Sequence, residues 1–357
     1  MDYASSGVNI ESGDQASRAA YNNAKKTFAS RKNLIGAPFE QDGGFAGALD
    51  MGDFLLIQND DGTGTKHEIA DRLGQYDTLG EDLAAMVVDD AICVGGEVIS
   101  LTNTLDTPSV DPESIDQLTA GLAKACSEQK IIIPGGEIAE LSDALNKPVW
   151  NATAVGIVKK DKFITGADIQ AGDAIIGLAG RVIRSNGASL ARKICEKAFG
   201  DNWHEEKFDD TQSWGEVLLT PSKIFHRILL DHVLGDFEGT RKFPVKGLAH
   251  ITGGGVPGNL PRIFPDKNLG ADLDNLHTPH EALKQLIKLG DVSEAEAYRT
   301  WNCGTAMMLI IDPSHAETLC QTLNNADPEL QAQVVGQITD TGNINIISQF
   351  SHNSLTF

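Results

Sequence analysis

Short apolar runs that end in glycine-rich polar loops recur along the chain, and this pattern constrains the fold more than any other feature. Phe54-Leu55-Leu56-Ile57 leads into Asn59-Asp60-Asp61-Gly62-Thr63-Gly64-Thr65-Lys66, Lys130 to Pro134 into Gly135-Gly136-Glu137, and Leu248 to Ile251 into Thr252-Gly253-Gly254-Gly255. An apolar run bounded by glycine and turn residues predicts a buried strand that hands its loop to the sheet edge. Further strands are predicted over Val98–Leu105, Asn151–Lys159 and Ala174–Leu178. Helical spacing runs through Leu83–Cys93, Ser114–Glu128, Ser189–Phe199 and Pro221–Leu234. Mixed strands and helices make this an α/β chain. Its 357 residues exceed one ordinary core, so we divide it into domains 1–168 and 169–350 at the turn-rich stretch Gly166 to Asp173, with 351–357 expected as a frayed tail.

Charge narrows the function classes. Fifty Asp and Glu against 29 Lys and Arg give a net charge of -21, which argues against nucleic acid as a partner because no broad basic surface is available to neutralise phosphates. A phosphate must therefore be held locally. The longest apolar runs, Ile131 to Ile133 and Met307 to Ile311, fall far short of the roughly 20 residues of a membrane helix. Five cysteines without a CxxC pair, and an N-terminus without a basic region and apolar stretch, predict a reduced, cytoplasmic protein.

Two sets of residues suggest chemistry. Asp60-Asp61, Asp89-Asp90 and Glu137 stand at strand ends or interrupt an apolar helix face, and hard oxygen ligands of this kind suit Mg²⁺. Taken singly, each reads better as a solvated turn or helix-face acid; taken as three clusters at strand ends and on an apolar helix, they favour the metal. The glycine loops can bring backbone N–H groups to a phosphate, with Lys66 adding a charge, although the spacing of a Walker A loop is absent. Gly43-Gly44-Phe45-Ala46-Gly47 is a second such loop. Gly253 to Gly258 matches GxGxxG, yet Pro257 and Asn259 suit a Rossmann helix poorly and no acid follows at the required distance. His250 reads either as an acid or base near neutral pH or as a satisfied core histidine. His277 and His280 lack a second ligand pair, which argues against zinc.

Read in order, the segments Ser6 to Gly13, Gly43 to Gly47, Asp61 to Lys66, Tyr76 to Met86, Gly135 to Glu137, Ser185 to Gly187, Ala249 to Gly255, Asn259 to Arg262 and Tyr298 to Gly304 resemble phosphoribosylformylglycinamidine cyclo-ligases, or AIR synthetases. The resemblance spans about residues 5 to 347, and the shorter motifs are shared with a wider ATP-using superfamily. It implies a two-domain fold whose N-terminal domains pair their sheets into a barrel in a homodimer, with α/β C-terminal domains outside. It implies ATP and Mg²⁺ as cofactors and ring closure of formylglycinamidine ribonucleotide to aminoimidazole ribonucleotide, through an iminophosphate. By position it assigns Asp61, Asp90 and Glu137 to the metal, and Gly43, Gly44, Gly62, Gly64, Thr65, Lys66, Asp82, Gly135 and Gly136 to the nucleotide. Arg184, Ser185, Asn186, Gly187, Thr252, Gly253, Gly254, Gly255, Asn259 and Arg262 go to the small-molecule substrate, and Lys66, Asp61 and His250 to catalysis.

Several positions depart from the family's pattern, among them the glycine-proline turn that is lost at Val182-Ile183. Asp60 replaces its usual Thr, Asp89 its Asn, Ile138 its Thr, and Tyr76 and Arg184 each a His. Arg184 is expected to act as a clamp on the substrate phosphate, since a guanidinium grips phosphate bidentately. The departures leave open an alternative, a superfamily paralogue that uses ATP and Mg²⁺ to phosphorylate a different small-molecule oxygen or amide.

Overall fold

A computed structural model describes residues 10–39, 44–266 and 268–357 of the chain. The first sheet is built from β1 (Ala37–Phe39), β2 (Gly47–Asp50), β3 (Phe54–Gly62), β4 (Glu97–Thr107), β5 (Gly136–Glu140) and β6 (Val149–Lys159), in the order β1-β2-β3-β6-β4-β5. Its neighbours are antiparallel except β4 and β5, which run parallel. Burial alternates along the strands: Leu55 and Ile57 in β3, and Ala152, Ala154 and Val158 in β6, point into the core between more open neighbours. That is the pattern of a sheet covered on one face. The helices of this half are α1 (Ile10–Lys25), α2 (His67–Leu73), α3 (Leu79–Cys93) and α4 (Pro112–Glu128).

The second sheet contains β7 (Ala174–Ala179), β8 (Gly247–His250), β9 (Gly270–Leu273), β10 (Thr305–Ile311), β11 (Gln333–Thr339), β12 (Ile344–Ile347) and β13 (Ser354–Thr356), ordered β13-β12-β9-β11-β7-β10-β8. Only β9 and β12 pair in parallel. β7 and β10 are buried along their whole length, which explains why both read as uninterrupted apolar runs. Around them lie α5 (Ala188–Phe199), α6 (Trp214–Leu219), α7 (His226–Leu229) and α8 (Gly255–Asn259), followed by three longer helices. The expected mixed α/β architecture with two sheet-bearing units is thus the one the chain forms. No helix among the described residues is long and apolar enough to cross a membrane.

α3 is the common wall of the molecule. It packs on β3, β6 and α4 on one side and meets β8 and α7 on the other, so that every residue but Glu81 and Asp90 is buried. The two acids that interrupt its apolar pattern, Asp89 and Asp90, therefore reach the second half of the chain.

Three local expectations are corrected. Residues 130–134 do not form a ladder of their own: Ile132 makes a single bridge to Ser100, and the regular strand begins only at Gly136, beyond the donorless Pro134. The helix expected from Pro221 begins at His226 and continues as a π-helical turn, Leu230–Leu234. Its start is displaced because the Asp89 carboxylate accepts hydrogen bonds from Phe225 N and His226 N, at 2.8 and 3.0 Å, and so caps the helix there. The tail is not frayed; β13 pairs with β12, and Phe357 and Ile344 exchange backbone hydrogen bonds of 3.0 and 3.2 Å.

Candidate active site

Asp60 and Asp61 end β3, Asp90 lies in the last turn of α3, and His250 ends β8, so one strand tip from each sheet converges on the common helix. His250 Nδ1 lies 2.8 Å from Asp90 Oδ1. The ring is fully buried and its Nε2 has no hydrogen-bond partner. Burial pushes the His250 pKa well below its ordinary value, so the ring is neutral. Where Asp90 is ionised, above its raised pKa, Nδ1 carries the proton and donates it, which leaves Nε2 unprotonated and without a partner.

Burial holds both Asp61 and Asp90 above the usual carboxylate range. Burial, opposed by the Gly62 N–H and reinforced by the charges of Asp90 and Asp60, raises Asp61 to about 6. Burial raises Asp90 to about 7, against the pull of Arg262 and Arg184. Two buried carboxylates whose pKa values are raised by desolvation fit a hard divalent cation, which would remove that penalty. Asp60 beside them accepts a hydrogen bond from the Thr153 hydroxyl across the ladder.

Glu137 is not part of this cluster within one chain. It sits in the register row Gly62, Asn151, Thr104, Glu137, three strand spacings or about 14 Å from Gly62. Gly135 and Gly136 are exposed at the same distant edge. Among the described residues no group of three or more His, Cys, Asp or Glu is placed to hold one metal ion. Asp61 and Asp90 alone remain, and Mg²⁺ accepts one or two carboxylates when substrate phosphates and water complete its shell.

The Gly62–Lys66 loop is built tightly. A Cβ at Gly62 would stand 2.1 Å from Asn151 Oδ1, so only glycine lets β3 and β6 approach there. Gly64 opens a single 3₁₀ turn, and Thr65 Oγ1 lies 2.6 Å from Ser189 Oγ in the first turn of α5. Lys66 departs from its expected role beside a phosphate. Its ammonium is buried, 2.9 and 2.7 Å from the two Asp82 oxygens and 2.7 Å from Thr220 O, because an unpaired charge could not be buried there. Ser222 N and Oγ also donate to Asp82. Thr220 and Ser222 escaped sequence reasoning; their segment resembles the start of a helix, and only Pro221 between them marks an interruption.

The residues expected to face the substrate do gather. Gly187 starts α5 in a left-handed conformation and carries no side chain to cap it, while Ser185 Oγ and Asn186 Oδ1 are buried without partners. Asn186 packs on Gly253, and Asn259 Nδ2 donates to the carbonyls of Gly253 and Gly255 at 3.0 and 2.8 Å. Thr252 and Gly254 complete this turn, half-buried. At Gly255 (φ +58°) a Cβ would lie 1.7 Å from Tyr298 O, so glycine is required. Arg262 reaches back to the first half: it donates to Gly44 O at 2.8 Å and stacks over the Phe45 ring at 4.0 Å. Gly43 lies outside the described residues. Tyr21, Phe39, Phe45, Asp60, Asp90 and Arg262 border an open groove of about 750 Å³. Arg184 points elsewhere than a phosphate clamp would; both its terminal nitrogens are engaged in the interior, with Asp89, Ala85 O and Lys223 O.

Family models for the N-terminal and C-terminal domains of AIR synthase related proteins match residues 43–158 and 170–349. The chain is 35% identical over 350 residues to a phosphoribosylformylglycinamidine cyclo-ligase of Carboxydothermus hydrogenoformans, covering 95% of this chain and 96% of the relative. It is 35% identical over 349 residues to that of Methanocaldococcus jannaschii, covering 97% and 94%. Among solved structures, T. maritima PurL complexed with FGAR superposes with a TM-score of 0.61 at 17% identity, over 91% of this chain and 48% of that one. The hydrogenase maturation protein HypE in complex with ATP gives 0.57 at 16%, over 84% of each chain. These two likenesses concern the fold.

Proposed function

The chain belongs to the AIR synthase related family, and from that premise we infer that it is a ligase performing the cyclo-ligase reaction, ATP-dependent closure of formylglycinamidine ribonucleotide to 5-aminoimidazole ribonucleotide with release of ADP and phosphate. The full-length 35% identity to cyclo-ligases, running through both domains, carries this reading. ATP phosphorylates the formyl oxygen, turning a poor leaving group into phosphate. The amidine nitrogen then attacks the activated carbon and loses a proton, and phosphate departs.

The chain's own groups suit these steps. His250 Nε2, oriented through Nδ1 by Asp90, is the base that accepts the amidine proton. Ser185 Oγ, Asn186 Oδ1 and the start of α5 receive the polar substrate, and Thr252 to Gly255 close over it. Asp61 and Asp90 would hold Mg²⁺, which supplies neutralisation of phosphoryl charge when bound. Lys66 with Asp82 fixes the glycine loop on the segment Thr220–Ser222 rather than meeting the nucleotide. Ile99, Ile132, Ile138, Leu141 and Val149 are exposed on and beside β4, β5 and β6, and that apolar margin supports the pairing of two N-terminal domains in a homodimer.

Purified protein given ATP, Mg²⁺ and formylglycinamidine ribonucleotide should release ADP and aminoimidazole ribonucleotide in equal amounts. ADP release independent of that substrate, or none above an Asp90→Asn control, would overturn the reading.

A further inference from the structure

Two charged residues beside the active site are buried against each other and touch neither groove nor solvent. Arg184 is 3% exposed and Asp89 is fully buried, with Nη2 to Oδ2 at 2.8 Å. The second Asp89 oxygen is taken by Phe225 N and His226 N. Arg184 also donates to Ala85 O at 3.3 Å and to Lys223 O at 3.1 Å. One ion pair thus ties three segments that no backbone ladder connects: α3, the loop that enters α5, and the start of α7.

The neighbours of each partner matter. Asp89 precedes Asp90, which orients His250; Arg184 precedes Ser185 and Asn186, whose polar atoms await the substrate. We propose that the Asp89–Arg184 pair is a positioning device that fixes the Asp90–His250 pair and the Ser185–Gly187 loop relative to each other across the two domains. The inference rests on the cyclo-ligase reading and deepens it.

Chemistry excludes the simpler role for Arg184. A bidentate grip on phosphate uses two nitrogens of the fork, but both terminal nitrogens are already committed and only Nε lacks a partner. Releasing them would leave Asp89 buried with its charge uncompensated. The pair is also self-contained: either residue without the other is a stranded charge, whereas neutral residues at both positions strand none. Asn at 89 and His at 184, the residues of the resembled pattern, are such a neutral couple.

The test compares wild type with Asp89→Asn, Arg184→His, Arg184→Lys and the Asp89→Asn/Arg184→His double variant. For each, kcat and KM for both substrates are measured per folded molecule, well below its Tm. Each single His or Asn variant should lose about 100-fold in kcat, the cost of displacing reacting groups by about an ångström, with ATP KM changed less than about threefold. The double variant should recover at least tenfold over either single and regain Tm. Arg184→Lys, which keeps the charge but not the fork, should fall between wild type and Arg184→His. Singles that keep wild-type kcat per folded molecule would reduce the pair to a structural one and overturn the proposal. A rise in ribonucleotide KM with unchanged kcat in Arg184→His would overturn it in favour of a phosphate clamp, and a double variant as impaired as the product of the singles would deny the coupling. An inactive wild type would sink the cyclo-ligase reading itself, which separates that failure from failure of the pair.

Discussion

At the scale of single residues, the site depends on which polar atoms are satisfied. His250 has one nitrogen on Asp90 and one with no partner, so His250→Ala should lower kcat per folded molecule by about 10² to 10⁴-fold with ATP affinity nearly unchanged, and should also lower Tm because the ring is fully buried, as steady-state kinetics and calorimetry can establish. His226 is the contrasting case: its Nε2 accepts from Val98 N at 2.9 Å, and burial lowers its pKa from 6.5 to about 3. As pH falls through that window the unfolded chain binds a proton that the folded chain refuses, so stability drops with falling pH by about 1.4 kcal/mol per unit at this site. Denaturant titrations between pH 7 and pH 4 should give a shallower pH slope for His226→Gln than for wild type; parallel slopes would remove His226 as the cause. Many of these residues were legible in the sequence because acids and a histidine beside glycines are chemically conspicuous. The roles of Lys66 and Arg184 were not, since a charge in a loop motif gives no sign that its partner, Asp82 or Asp89, lies on a helix that buries both.

At the scale of elements, legibility followed length and period. β3, β4, β6, α3, α4 and α5 were readable because each repeats its burial pattern over several turns or pleats. The start of α7 was not, because Asp89, far off in sequence, decides where its first amides are capped. Register across the first sheet was equally hidden, and it is what moves Glu137 away from Asp61. The crossing of α3 and α4 offers a test. A Cβ on Gly121 would lie 1.8 Å from Asp77 O, at the entry to α3, so Gly121→Ala should destabilise the protein by about 2 kcal/mol or more in chemical denaturation. An unchanged midpoint would mean that α4 yields easily and that the spacing of the two helices is not fixed there.

At the scale of the molecule, charge and apolar surface make opposing demands. A net charge of -21 repels itself, so Tm should rise as salt goes from ~0.01 M to ~1 M and the screening length contracts from about 30 to about 3 Å. The exposed isoleucines at the β4–β5 margin stand out against this acidic surface. If the proposed homodimer pairs at this margin, Ile132→Asp, at a residue 65% exposed, should leave folding intact and shift sedimentation toward a single-chain species; an unchanged coefficient would count against a dimer contact there. The burial of α3 against both sheets has a consequence for descent. The two family domains are matched as separate sequence units, yet the wall they share has no face ready for water; Asp89 and Asp90 each find their side-chain partner in the other unit, and Asp82, paired with Lys66 in its own, also accepts from Ser222 there. Neither half is a portable module, so recombination that exchanged one without the other would strand two carboxylates, and the pair is expected to be inherited as a single piece.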